Sequence, residues 1–147
     1  MKIYKLPLLA EAQDNGVYRL GSEELHTDGV DLAYGRLRPK EAARPVAIAP
    51  GREGVVCVIK GRISVKCGRS VFAVSTGEAF HAAPGASFTF ENPGEAEAVY
   101  LIAGGQAGAR RQEAAAASPQ KTVQGETTAP CEETVYDITR DDTDTVD

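Results

Sequence analysis

The sequence is poor in the residue types that most often carry chemistry. It has no tryptophan, one methionine, two histidines and three cysteines among 147 residues. The cysteines are odd in number, lie far apart and form no CxxC motif, a pattern typical of a protein from a reduced compartment. We therefore expect a cytoplasmic protein.

Most of the chain also lacks an excess of either positive or negative charge. Residues 1–103 carry 12 Lys and Arg against 12 Asp and Glu, so the net charge of −5 comes from residues 104–147. A neutral body with an acidic tail argues against nucleic acid as a partner.

No apolar run approaches the roughly 20 residues of a membrane span. The apolar part of the N-terminus is shorter than a signal-peptide core of about 7–15 residues. We expect neither a membrane partner nor an export signal.

What the sequence does contain is a series of short apolar runs between 51 and 92. The runs are Val55–Ile59, Ile63–Cys67, Val71–Val74 and Phe88–Phe90. Between them lie KGR, CGRS, STGE and APGA, where glycine permits positive φ and proline presets a turn. Strands at this spacing predict an all-β, antiparallel sandwich or barrel, because a parallel sheet would need crossover helices.

The flanking segments extend this pattern and set the expected boundaries. We expect an edge strand at 1–6 ended by Pro7, a short strand at 17–20, a helical turn at 21–25, a long strand from 30 and a last strand at 96–102. Residues 1–28 would then precede a barrel of residues 29–103. Residues 104–147 form an Ala-, Gly- and Thr-rich acidic tail that we expect to be largely disordered, or to add a strand at 133–140 to a sheet edge.

The spacing of glycines and prolines in this stretch resembles the second motif of the cupin superfamily. That motif reads G, five residues, P-x-G, two residues, H, three residues, N. The matching positions here are Gly77, Ala83, Gly85, Phe88 and Asn92, with Pro84 between Ala83 and Gly85. The resemblance covers about residues 29–103 and implies a small cupin-type jelly-roll barrel.

In the same alignment, the positions of the metal ligands of such a barrel are occupied by residues that cannot bind metal. The histidine position of the second motif is Phe88, and the first motif places its glutamate at Gly54 and its histidines near Ile48 and Pro50. These side chains have no donor for a divalent metal, which imidazole and carboxylate groups hold in proteins. The sequence predicts no metal site and no cofactor.

His81 is the one candidate for acid–base chemistry that the barrel retains. Metal-free sugar epimerases of this superfamily use a His–Asp pair, and such a histidine needs a carboxylate that fixes its tautomer. Asp31 is one candidate partner, with Glu78 and Glu53 as others. This enzymatic hypothesis requires His81 to point into the barrel. The alternative is a half-exposed histidine that bonds to a backbone carbonyl.

Two further sets of side chains are candidate ligand contacts. Tyr34, Arg36 and Arg38 share one face of the long strand and, if that face lines the barrel, would form an anion pocket that Arg52 joins at the rim. Otherwise they are ordinary solvated surface. Phe88 would either line a dry apolar pocket or fill a packed barrel centre.

The strand Val55–Ile59 is apolar on both faces, so its outer face needs a cover. A second copy of the chain is the simplest one, and we expect a homodimer. The sequence thus favours a metal-free, non-enzymatic module that binds a small ligand or a partner. The alternatives are a metal-independent sugar or small-acid isomerase that uses His81, and an assembly or regulatory protein acting through its acidic tail.

Overall fold

A computed structural model describes residues 1–108 of the chain. The two helices within this range have six and four residues, too few for a membrane span. The expectations for 109–147, including the strand at 133–140, lie outside the described residues.

The elements follow in the order α1 (Leu6–Glu11), β1 (Val17–Leu20), α2 (Ser22–Leu25), β2 (Val30–Leu37), β3 (Arg44–Ala47), β4 (Arg52–Lys60), β5 (Arg62–Cys67), β6 (Ser70–Ser75), β7 (Ala79–Ala82), β8 (Ser87–Glu91) and β9 (Ala98–Gln106).

The strands form two antiparallel sheets that enclose one core. The first sheet has the strand order β1-β2-β9-β4-β7, and the second has the order β3-β8-β5-β6. The last of these strands, β9, lies at the centre of the first sheet and pairs with both β2 and β4. The strands predicted between residues 17 and 102 are confirmed, and the structure adds the edge strand β3, which tolerates Pro45 because an edge strand can leave one side unpaired.

Side chains of alternating strand positions meet between the sheets. On β5 the inward residues are Ile63, Val65 and Cys67, as the alternation predicted. Aromatic rings run across the interior in edge-to-face or tilted contacts with centroids 5.1–6.3 Å apart. These rings belong to Phe72, Phe80, Phe88, Phe90 and Tyr100. They lie on β6, β7, β8 and β9 and fill the centre of the barrel between the two sheets.

The predicted strand at residues 1–6 is wrong. The structure has the helix α1 from Leu6 instead, with Pro7 in its first turn, where a missing N–H costs nothing. The helices α1 and α2 contact β1 and β2. They cover the outer face of these strands, where Leu20 is 7% exposed.

Asn92 joins the end of β2 to the loop before β9. It is 2% exposed, and its Nδ2 donates to the carbonyl oxygens of Leu37, Arg38 and Ala96 at 3.2, 2.9 and 2.8 Å. Its Oδ1 accepts the N–H of Gly94 at 3.0 Å. A buried amide with all its polar atoms bonded fixes both chain segments. Asn92 thereby holds the backbone of Leu37 and Arg38, where the chain leaves the end of β2.

Candidate functional site

A cavity of about 420 Å³ lies between the sheets on the side where β1 and β3 are the edge strands. Apolar side chains and one tyrosine form part of its wall, namely Val17, Ala33, Val46, Tyr100 and Ile102. Charged side chains form another part, namely Asp14, Arg19, Arg38, Glu41 and Arg44. This combination of an apolar wall and a few converging polar groups is typical of small-molecule sites.

Arg44 is the most buried cation of the cavity. It lies two positions before Val46 on β3 and therefore shares the inward face, and its side chain is 14% exposed. Its Nη2 donates to Oε2 of Glu41 at 2.7 Å. Its Nη1 is buried and has no hydrogen-bond partner among residues 1–108. One buried donor of this guanidinium is thus left without a protein partner in this part of the chain.

Two more arginines stand at the cavity with exposed side chains. Arg19 lies opposite Ala33 in the β1–β2 register, so both face the interior. Arg38 follows β2, and its backbone N–H donates to Oε1 of Glu41 at 2.8 Å. Within residues 1–108, neither guanidinium forms an ion pair. Both oxygens of Glu41 are therefore engaged, while two guanidinium groups have no carboxylate partner there.

A smaller cavity of about 140 Å³ adjoins the first and shares Arg19, Ala33 and Ile102 with it. Asp31 and Arg52 line it and form an ion pair with each other. Asp31 can lie inward here because its register partner is Gly104, where an added Cβ would come within 2.7 Å of its Oδ1. Arg52, which the sequence offered as a further member of the anion pocket, is paired with Asp31 instead.

His81 does not point into the barrel. On β7 the inward residues are Phe80 and Ala82, whereas His81 lies opposite Val55 on the outer face and its side chain is 62% exposed. Its Nε2 is 2.9 Å from Oε1 of Glu53, whose Oε2 accepts the N–H of Gly108 at 3.1 Å. The predicted inward histidine paired with Asp31 is wrong, because the strand alternation gives that face to Phe80.

Of the three residues of the predicted anion pocket, Arg38 lines the larger cavity, whereas Tyr34 and Arg36 do not. The latter two face outward, since their neighbours Ala33, Gly35 and Leu37 fill the inner face of β2. Nε and Nη2 of Arg36 each donate to one carboxylate oxygen of Glu97 at 2.9 Å. This bidentate bond holds the pKa of the Glu97 carboxyl below its usual range. Burial raises the pKa of the Tyr34 hydroxyl. Glu97 already takes the place of the expected anion.

The positions that hold metal in related motifs do not fit a metal here. Phe88 is 6% exposed and packs between the rings of Phe80 and Phe90. An added Cβ at Gly54 would lie 2.9 Å from the carbonyl oxygen of Ala103, so the site has no room for a larger residue. No group of three or more His, Cys, Asp or Glu within residues 1–108 is placed to hold a metal ion. Phe88 fills the barrel centre and lines neither cavity.

The arrangement of the two sheets matches solved structures, all at low sequence identity. The cupin domain of Cnp3 from Schizosaccharomyces pombe is 13% identical, with a TM-score of 0.52 over 62% of this chain and 64% of that one. A cupin protein from Bacteroides fragilis is 14% identical, with a TM-score of 0.54 over 84% and 93%. This is a cupin fold. The cupin fold expected from the sequence is thereby confirmed.

Other solved structures with the same cupin fold carry different descriptions. An uncharacterized conserved protein with a double-stranded β-helix domain from Klebsiella pneumoniae is 15% identical, with a TM-score of 0.58 over 72% of this chain and 90% of that one. Oxalate oxidase in complex with glycolate is 23% identical, but the match spans 53% of its length. Comparison with protein-family models and with curated protein sequences finds no match. The likeness therefore concerns the fold.

Sequence reasoning missed two of the three arginines that line the larger cavity of this cupin barrel, Arg19 and Arg44. In VYRL the apolar Tyr18 and Leu20 suggest the inward face, but the helices cover that face and Arg19 turns inward. Arg44 lies two positions before the apolar Val46 in ARPVA, a signal that could have placed both on the inner face once this segment was read as a strand. Neither residue belongs to a cupin motif.

Proposed function

We propose that this cupin-fold protein is a non-enzymatic module that binds a small molecule in the cavity between β1 and β3. The observation that carries the proposal is the cavity itself, about 420 Å³ in volume, with an apolar wall and converging arginines. A volume of this size lies within the range of about 300–1,000 Å³ of small-molecule sites.

The distribution of titratable groups supports binding over catalysis. General acid–base chemistry needs a titratable group within reach of the substrate. His81 lies on the outer face, and Asp31 is paired with Arg52. In the wall of the larger cavity, both oxygens of Glu41 already accept hydrogen bonds, and Asp14 is exposed. The isomerase hypothesis needed His81 inside and has lost that support. The hypothesis of an acidic-tail function concerns residues outside 1–108.

Two neighbouring alanines allow a direct test of the cavity. Ala43 and Ala42 are both exposed, but Ala43 lines the cavity whereas Ala42 does not. We expect Ala43→Trp to block the cavity mouth and Ala42→Trp to leave it open. The full chain would be screened against a fragment library by ligand-observed NMR. Fragments that bind the native protein and Ala42→Trp should lose binding to Ala43→Trp. Equal binding to all three, or no binding at all, would refute the cavity as the site.

We also propose that two copies associate through the outer face of β4. Val55 and Ile59 are 47% and 40% exposed there, and Cys57 lies between them. Two copies related by a twofold axis with antiparallel β4 strands would cover Val55 and Ile59 of each copy with the same residues of the other.

A further inference from the structure

We propose that the molecule bound in the β1–β3 cavity is a small organic carboxylate, gripped by Arg44 from inside and by Arg38 from the mouth. This inference rests on the proposed binding function and names its ligand class. It depends on the charge balance of the cavity wall, on the incomplete bonding of Arg44 and on the apolar residues opposite.

The cavity wall has one more cation than it has anions. Arg19, Arg38 and Arg44 stand against Asp14 and Glu41. Glu41 is fully used, since one oxygen accepts from Arg44 and the other from the backbone of Arg38. The guanidinium groups of Arg19 and Arg38 have no ion-pair partner within the described part of the chain. An anion in the cavity would meet guanidinium donors that no protein carboxylate there already occupies.

Arg44 adds a buried donor to this charge excess. Its Nη1 is buried without a partner, and a buried donor left unbonded costs free energy comparable to a lost hydrogen bond. A guanidinium presents its donors in a planar fork that matches a carboxylate, and such charge-assisted bonds are about twice as strong as neutral ones. Nη1 itself is closed to solvent, so a carboxylate in the cavity would complete the bonding of Arg44 once the guanidinium turns toward the ligand.

The rest of the wall favours a carboxylate with a carbon skeleton over inorganic phosphate. Ala33, Val46 and Ile102 offer apolar surface that phosphate cannot use. Asp14 and Glu41 repel a second negative charge, so a monoanion suits this wall better than a dianion. The ligand class is thus a small monocarboxylate whose apolar part lies against β2, β3 and β9.

Matched acid and amide probes test the charge requirement. Isothermal titration of the full chain would compare benzoate with benzamide, 3-methylbutanoate with 3-methylbutanamide, and inorganic phosphate. We expect at least one carboxylate to bind about tenfold or more tightly than its amide, because the amide lacks the charge that the arginines recognise. We expect phosphate not to compete at millimolar concentration.

Arginine variants test the assigned contacts. Arg38→Gln changes an exposed side chain, and Arg44→Lys keeps the charge inside but removes the planar fork. Each should weaken carboxylate binding about tenfold and amide binding much less, so the preference for the acid over its amide should narrow. Arg69→Gln, in the turn between β5 and β6 and away from the cavity, is the control and should bind like the native chain.

The outcomes separate this inference from the proposed function. If amides bind as tightly as acids and the arginine variants bind normally, the carboxylate inference is wrong while the cavity remains a binding site. If phosphate binds through Arg44 and the acids do not, the ligand class is wrong. If none of the acids binds, the carboxylate inference is overturned. If the Ala43→Trp comparison also shows no bound fragment, the proposed function fails with it.

Discussion

The ring of Tyr100 lies directly on the backbone of Gly35. The two residues are register partners in the β2–β9 pair, and a Cβ added at Gly35 would stand 2.2 Å from Cζ of Tyr100 and 2.4 Å from its hydroxyl oxygen. Tyr100 is 2% exposed and lines the larger cavity. The missing side chain at position 35 therefore determines where one wall of the candidate site lies.

Gly35→Ala should destabilise the protein and change the cavity. The added methyl group cannot be accommodated unless Tyr100 moves, and overpacking of this kind costs about 1–3 kcal/mol. The measurement is the free energy of unfolding by urea. Gly108→Ala is a suitable control, because an added Cβ there meets nothing within 4 Å. Equal stability of the two variants would contradict the packing described for Tyr100.

The bond between Arg36 and Glu97 should appear in the pH dependence of stability. Because the folded-state pKa of Glu97 is lowered, the carboxylate contributes stability above its unfolded pKa, about 4.3. That stability is lost as the pH falls below 4.3 and through the lower folded-state pKa. Both side chains are partly exposed, at 29% and 28%, so we expect only about 1 kcal/mol.

Glu97→Gln is the variant that isolates this effect. Its free energy of unfolding should be lower than that of the native chain at neutral pH, and should fall less steeply between about pH 5 and pH 3. Glu95→Gln changes a carboxylate that is 84% exposed and serves as the matched control. Identical pH slopes for the native chain and Glu97→Gln would argue that the bidentate bond contributes nothing to stability.

The proposed dimer predicts that a charge at the centre of the outer β4 face will separate the copies. Val55→Glu buries a carboxylate in the interface, so the apparent mass should change from dimer to monomer in analytical ultracentrifugation. Val71→Glu places the same charge on β6, in the other sheet, where the side chain is 60% exposed. It should leave the dimer intact. A native chain that is monomeric at all concentrations would rule out the interface.

Restoring a histidine at position 88 should not create a metal site. Phe88→His removes a ring that contacts Phe80 and Phe90, and it leaves Gly54 and Ile48 without donor atoms. One imidazole in an apolar core does not make up the three or four ligands that a divalent metal needs. We expect a loss of roughly 2–4 kcal/mol in stability. Elemental analysis should find no stoichiometric metal; finding one would show that unrecognised donors converge at this position.

Much of the barrel could be predicted because strands and turns are local in sequence. The glycines at 61, 68, 77 and 85 have positive φ, where other residues are strained, and they mark the turns that the sequence suggested. The alternation on β5 gave its inward face correctly. These features depend on neighbouring residues alone.

The candidate site could not be predicted in the same way, because it depends on which face of a strand is covered. On β2, Gly35 faces the interior because the ring of Tyr100 occupies the space beside it. Tyr34 and Arg36 must then face outward, and their own polarity does not reveal this. On β1 the covering helices reverse the apparent hydrophobic face and send Arg19 inward. At the N-terminus, Pro7 fits both the end of a strand and the first turn of a helix, and only packing against β1 and β2 decides.

The central position of β9 has a consequence for how the chain folds during its synthesis. β2 and β4 leave the ribosome before β9, yet neither can complete its hydrogen bonding until Ala98–Gln106 arrives between them. Until β9 has been synthesised, β2 and β4 of the nascent chain each have one edge without its native partner strand. Such unpaired edges can form hydrogen bonds with other chains. Closure through distant contacts is also slow. The nascent polypeptide should thus depend on chaperones more than the finished barrel does.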